Sequence, residues 1–261
     1  MLLKITLEGE PLQRLPLNYQ YPLSAAIYRI LWKGNTTYAQ FLHEEGYGKG
    51  FKFFTFSQIH CPFSITGNRM VLQGGTLYFY VAFHLPQAME NFVKGLFKSE
   101  AITIADKQSK GVFTIKSVES VPSPLVKHTE NELVSINVIP DAAVVAGIKN
   151  EKGNYNFLMP DAPEFIAQLV HNWREKIITC YDAVTGSGAL LLIELKHADK
   201  AKSRLITIKA DTDAETKIRG WLNYELQLTA EKRFVELLLN AGAGLYNAQG
   251  FGFLNVIDNK K

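Results

Sequence analysis

The chain has 261 residues, 47% apolar and 20% charged, which is enough to bury one large core or two modest ones and excludes a disordered polymer. A formal charge of +3 is too small to establish a nucleic-acid partner by itself, so any basic surface has to come from clustering. No apolar run approaches bilayer length, the first residues carry no secretory cleavage pattern, and Cys61 and Cys180 stand apart. The expectation is a cytoplasmic protein with reduced thiols, no membrane association, no structural zinc and no cofactor.

In chain order, residues 1–8 alternate as a strand does. Leu23, Ala26, Ile27, Ile30 and Leu31 then recur at helical spacing and predict a helix ending near Gly34, with Tyr28 beside the apolar stripe. Residues 41–47 follow, with His43 read on its own as a solvated histidine at a helix end. The run 48–57 pairs aromatics with lysines, Lys52 among them, and reads as a strand entering the core. Leu77, Phe79, Val81 and Phe83 alternate with Tyr78, Tyr80, Ala82 and His84, a strand with two distinct faces. After Pro86, the residues Met89, Phe92, Val93, Leu96 and Phe97 give a helix its buried side, and 102–104 with 112–118 make a hairpin. This order is the split βαβ of a ferredoxin-like (RRM-like) βαββαβ domain.

Val121-Pro122-Ser123-Pro124-Leu125 breaks the pattern and divides the chain into an N-terminal domain, 1–121, and a C-terminal domain, 126–261. Residues 133–139 and 143–148 are strand-like, and Asp161-Ala162-Pro163-Glu164 resembles a helix start with an acidic cap. Ile166, Leu169, Val170, Trp173 and Ile177 form the buried side of that helix. Two further strands, 190–195 and 205–209, flank a basic connection with Lys196, His197, Lys200, Lys202 and Arg204, a solvated hairpin tip unless it meets an anion. Residues 218–226 lead to a last helix and a final strand, repeating the order of the first half. The fold class is α+β, two tandem ferredoxin-like domains.

Between the last helix and the last strand lies Gly242-Ala243-Gly244-Leu245-Tyr246-Asn247-Ala248-Gln249-Gly250-Phe251-Gly252. Glycine clustering marks a place where backbones come close, and Gly242 is placed as a left-handed cap of the helix. The loop is neither a nucleotide-hydrolase phosphate loop nor a dinucleotide fingerprint, since no Gly-Lys-Ser/Thr follows and the order is helix to strand. On spacing alone it is either such a site of approach or a glycine-rich turn.

Taken together, Leu15-Pro16-Leu17-Asn18-Tyr19-Gln20-Tyr21-Pro22-Leu23 with Ala26-Ile27-Tyr28, Leu42-His43-Glu44, Lys52-Phe53-Phe54-Thr55-Phe56-Ser57, Arg219-Gly220-Trp221 and the glycine loop resemble the CRISPR-associated repeat-processing endoribonucleases, the sixth Cas family of the RAMP superfamily. The resemblance covers nearly the whole chain. It implies a metal-independent endoribonuclease that cuts CRISPR repeat RNA in the precursor guide transcript, leaving a 2′,3′-cyclic phosphate and a 5′-hydroxyl. The implied catalytic residues are Tyr28, His43 and Lys52. With RNA as the substrate, the densest positive charge of the sequence, Lys196, Lys200, Lys202 and Arg204 with Lys209 and Arg219, is expected to contact the RNA backbone, and Gly242, Gly244, Gly250 and Gly252 to act through the backbone of the loop. The partners implied are the repeat RNA and effector-complex proteins. The loop departs from the family's common form in having Leu245 and Tyr246 where charged residues are usual, which bears on side-chain phosphate contacts and not on the glycines. Two other readings stand beside this one: a non-cleaving RNA-binding subunit of the same superfamily, and a protein-interaction scaffold.

Overall fold

Alternation buries Leu3, Ile5 and Leu7 of the first strand and leaves Lys4 and Thr6 on the other face, so the chain begins as the centre of a sheet. The computed structural model describes residues 1–209 and 212–257. The first half runs β1 (Leu2–Glu8), β2 (Arg14–Pro16), α1 (Gln20–Gly34), α2 (Thr36–Glu44), β3 (Phe54–Phe56), β4 (Phe63–Thr66), β5 (Arg69–Leu72), β6 (Thr76–Phe83), α3 (Pro86–Phe97), β7 (Ile102–Ala105) and β8 (Lys110–Val121). Its main sheet has the order β3-β6-β1-β8-β7, antiparallel throughout. Without the edge strand β7 this is the ferredoxin-like order.

The second half runs β9 (Leu133–Pro140), β10 (Gly147–Lys149), β11 (Tyr155–Phe157), α4 (Glu164–Cys180), α5 (Ala183–Gly188), β12 (Leu192–Lys196), β13 (Lys202–Ile208), β14 (Thr216–Leu222), β15 (Glu225–Glu231), α6 (Lys232–Ala241) and β16 (Leu254–Ile257). The sheet β12-β15-β9-β16 has the same ferredoxin-like order, with the β13–β14 hairpin inserted between β12 and β15. The tandem ferredoxin-like architecture read from the sequence is what the chain adopts. No helix among the described residues is long and apolar enough to cross a membrane.

Several local expectations fail for identifiable reasons. Of the run 48–57 only Phe54–Phe56 pairs as a strand, because Phe53 takes a left-handed φ of 49° that no ladder accommodates. Phe97 is 89% exposed, since it lies about 140° round α3 from Phe92 and so off the apolar stripe. The acidic cap of α4 does not form; Pro163 precedes the helix without a side-chain hydrogen bond. Gly242 ends α6 with φ 86° and ψ 155°, an extended mirror-region conformation and not the left-handed cap the sequence suggested. The small sheet β2-β5-β4 has no counterpart in the sequence reading.

The two halves interlock through side chains that cross between them. Phe53, from the first half, is buried in the apolar core of the second. Thr55 Oγ1 donates to the Phe251 carbonyl at 3.0 Å, and Ser24 Oγ to the Ala248 carbonyl at 2.6 Å. Gly250 lies so close to β3 and α1 that a Cβ there would sit 2.7 Å from the Phe56 ring and 3.1 Å from Gln20 Cβ. The glycine-rich loop of the second half is therefore seated on α1 and β3 of the first.

Candidate active site

Helix α1 carries Tyr28 on the border of its buried stripe, as the spacing implies, and the ring is half-buried. Asn35 restarts the chain as α2 by accepting a hydrogen bond from the Tyr38 N–H at 3.0 Å. This antiparallel return brings His43, in the last turn of α2, back to Tyr28. Their rings meet edge to face with centroids 5.0 Å apart, and Tyr28 meets Phe54 in the same way at 5.5 Å. His43 itself is exposed.

The chain then turns through 45–51 and returns Lys52 to the end of α2, where its Nζ donates to the His43 carbonyl at 3.0 Å. A lysine there satisfies one of the carbonyls a helix leaves open at its C-terminus. The next residue is Phe53, whose burial in the other half fixes where Lys52 leaves the backbone. Desolvation lowers the Lys52 pKa, and Glu45 opposes that shift. Burial moves the Tyr28 phenol the other way, well above the usual tyrosine range, so it stays protonated near neutral pH.

Tyr28, His43 and Lys52 line one open cleft of about 870 Å³ between the two halves. Its second wall is the glycine-rich loop, through Gly244, Leu245, Tyr246, Asn247 and Ala248, with Lys209 beside it. All four glycines of the loop have positive φ. Gly242, Gly250 and Gly252 stand behind that lining and are crowded by the protein's own atoms.

What holds this wall is a residue that sequence reasoning missed. Lys176 of α4 is 1% exposed, and its Nζ lies 2.5 Å from the Gly242 carbonyl, 3.3 Å from that of Gly244 and 2.8 Å from Asn247 Oδ1. Three acceptors match the three N–H donors of an ammonium. Burial draws the Lys176 pKa down to about 7, partly countered by Cys180, while the three acceptors favour the charged form. The available signal was its position seven residues after Leu169 and three after Trp173, on the apolar stripe of the helix.

The basic residues have different surroundings. Lys200 and Lys202 are exposed. Lys196 approaches Glu225 at 4.0 Å and Asn137 at 3.2 Å, and Arg219 donates to Ser203 at 3.1 Å. Arg204 faces inward with Ile206, donates to Gln58 at 2.6 Å and to the Leu17 carbonyl at 3.3 Å, and so braces the two halves.

Two family models match the chain: CRISPR-associated protein Cas6, N-terminal, over residues 14–119, and CRISPR associated protein Cas6, C-terminal, over residues 125–256. The chain belongs to the Cas6 family. It is 24% identical over 265 residues to a protein of Methanocaldococcus jannaschii called CRISPR-associated endoribonuclease Cas6 1, covering 100% of this chain and 94% of that one. Among solved structures, a Cas6-related protein from Pyrococcus furiosus superposes with a TM-score of 0.79 at 19% identity over 100% and 99% of the two chains. A structure described as a RAMP protein binding different RNA substrates gives 0.78 at 17% identity over 99% and 100%. At these identities the structural likenesses establish the Cas6 fold.

Replacing Lys176 with methionine removes the donors and leaves two carbonyls and an amide oxygen buried without them. The variant should lose at least about 1–3 kcal/mol of stability in urea unfolding. An unchanged midpoint would show that the loop does not depend on this ammonium.

Proposed function

We propose that this Cas6-family chain is an endoribonuclease that cuts CRISPR repeat RNA in the precursor transcript without a metal ion, and that the cleft of Tyr28, His43 and Lys52 is where it cuts. The observation that carries the reading is the meeting of these three side chains, from two helices and a turn, in one cleft. Among the described residues no group of three or more His, Cys, Asp or Glu is placed to hold a metal ion. The endoribonuclease named in Methanocaldococcus jannaschii supports the activity class. The division of labour follows the chain: residues 1–121 bring the reacting side chains and 126–261 the glycine-rich wall.

RNA supplies its own nucleophile. The 2′-oxygen attacks the adjacent phosphorus, its proton passes to His43, and the bond to the 5′-oxygen breaks to leave a 2′,3′-cyclic phosphate and a 5′-hydroxyl. Imidazole is the side chain that most readily exchanges a proton near neutrality, which suits the base role. Tyr28, protonated because burial raises its pKa, serves as a hydrogen-bond donor to the phosphate and not as a base. Lys52 faces the developing negative charge of the phosphorane, an electrostatic role that depends on its being fixed in place. The departing 5′-oxygen takes its proton from Tyr28 or Lys52, the other two proton carriers of the trio.

For the RNA backbone we assign Lys196, Lys200, Lys202, Lys209 and Arg219 as charged contacts. Gly244 presents the loop's backbone to the cleft, while Gly242, Gly250 and Gly252 let the loop fold close enough to form that wall. Arg204 acts indirectly, since its guanidinium already holds Gln58 and Leu17.

Three measurements test this reading. His43→Ala should slow single-turnover cleavage of repeat RNA by roughly 10²–10⁴-fold with little change in Kd, and cleavage by the parent protein should persist in excess chelator. A parental rate in the variant, or a strict divalent-ion requirement, would remove the mechanism. Replacing Lys200 and Lys202 with alanine should weaken binding and flatten the dependence of log Kd on log salt by roughly one unit per lost phosphate contact. An identical slope would leave both lysines as solvated surface.

A further inference from the structure

The chain has three tryptophans, and two are used for packing: Trp173 is 0% exposed and Trp221 is 8% exposed. Trp32 is 49% exposed and lines the same cleft as Tyr28, His43 and Lys52. It lies four residues after Tyr28 on α1, so the two side chains project from the same side of the helix one turn apart. Among the described residues no aromatic ring or cation stacks on the indole, whereas Tyr28 is enclosed by His43 and Phe54. Helix α1 thus carries three successive features along one wall. Ser24 is bonded to the loop, Tyr28 stands at the reacting trio, and Trp32 stands free beyond it.

We propose that Trp32 is a stacking platform for the nucleobase next to the scissile phosphate, adding affinity for the RNA at that point of the cleft. The inference rests on the endoribonuclease reading and deepens it by adding a base subsite. An exposed indole costs apolar surface in water, and the face of a nucleobase is the flat apolar partner that a ribonucleotide chain in this cleft would bring. Charge complementarity favours the same occupant. Arg29, Lys52 and Lys209 line the cleft together with Lys49, which Glu175 pairs at 2.7 Å, against one lining carboxylate among the described residues, Glu44. The phosphates flanking that base therefore meet a net positive wall while the base meets the ring. Stacking accepts any base, so the subsite contributes affinity more than sequence choice, with purines held more tightly for their larger face.

The test uses repeat RNA with a 2′-deoxy nucleotide at the cut position, which binds but supplies no nucleophile. Because Trp173 and Trp221 are buried, a change of tryptophan emission on binding reports chiefly on Trp32, and Trp32→Phe should abolish it. Trp32→Ala should raise Kd on the order of 10- to 100-fold, and Trp32→Phe should restore most of the affinity; on the all-ribose repeat RNA, which can be cut, the single-turnover rate of Trp32→Ala at saturation should stay within a few-fold of the parent. An abasic scan then locates the base. One position beside the cut should cost the parent protein that same factor and cost the alanine variant nothing further. Cleavage with normal affinity in Trp32→Ala, or an equal penalty at that abasic position in both proteins, overturns the subsite and leaves the endoribonuclease reading standing. Failure of the parent protein to bind or cut repeat RNA overturns the reading beneath it.

Discussion

One buried ammonium determines the shape of the cleft. Lys176 is removed from water, which by itself disfavours its charge, and it is retained inside the glycine-rich loop by two carbonyls and the Asn247 amide. Those carbonyls point inward because Gly242 and Gly244 adopt backbone conformations with positive φ. A loop folded round a cation in this way has its outer surface fixed, and that surface is the wall opposite Tyr28 and His43. The polar contact is local, but it fixes the wall that faces Tyr28 and His43 across the cleft.

The same logic accounts for the reacting side chains. Among the described residues none of the three has an acidic side chain in hydrogen-bond contact. Tyr28 is placed by helix spacing, His43 by the tight return from α1 to α2, and Lys52 by the helix end it caps and by Phe53 buried behind it. Phe53 bears a left-handed backbone that a bulky residue adopts only at a cost of about 1–3 kcal/mol, offset here by burial of its ring. Each half of the molecule therefore completes the other. The first supplies the chemistry and the seat for the loop, and the second supplies the pocket for Phe53 and the opposing wall. Arg204, bonded to Gln58, and the hydrogen bonds from Thr55 and Ser24 to the loop carbonyls hold the halves in register.

Most of the fold was legible because apolar periodicity reports burial directly. The strand containing Leu77 and Phe79 and the helices at 20–34 and 86–97 follow from it, and the repeated βαββαβ order follows from their sequence. The candidate trio was legible only through resemblance; on spacing alone His43 was a histidine at a helix end. What stayed hidden was set by contacts between distant segments. The buried state of Lys176 depends on a loop some 70 residues away, and nothing in a lysine announces it. Arg204 reads as part of a basic run, yet strand alternation turns it inward beside Ile206. Gly242 reads as a helix cap, yet the cation it serves demands a different ψ.

The account makes the cleft the place where the scissile phosphate sits, and His43 its closest reporter. The direct measurement is an NMR titration of the histidine ring signals with repeat RNA carrying a 2′-deoxy nucleotide at the cut site. The six histidines are spread over the chain, and only His43 lines this cleft. Saturating RNA should shift the His43 ring resonances strongly and leave those of half-buried His84, which does not line the cleft, in place. Full binding with an unmoved His43 signal would put the RNA elsewhere on the molecule and contradict the account.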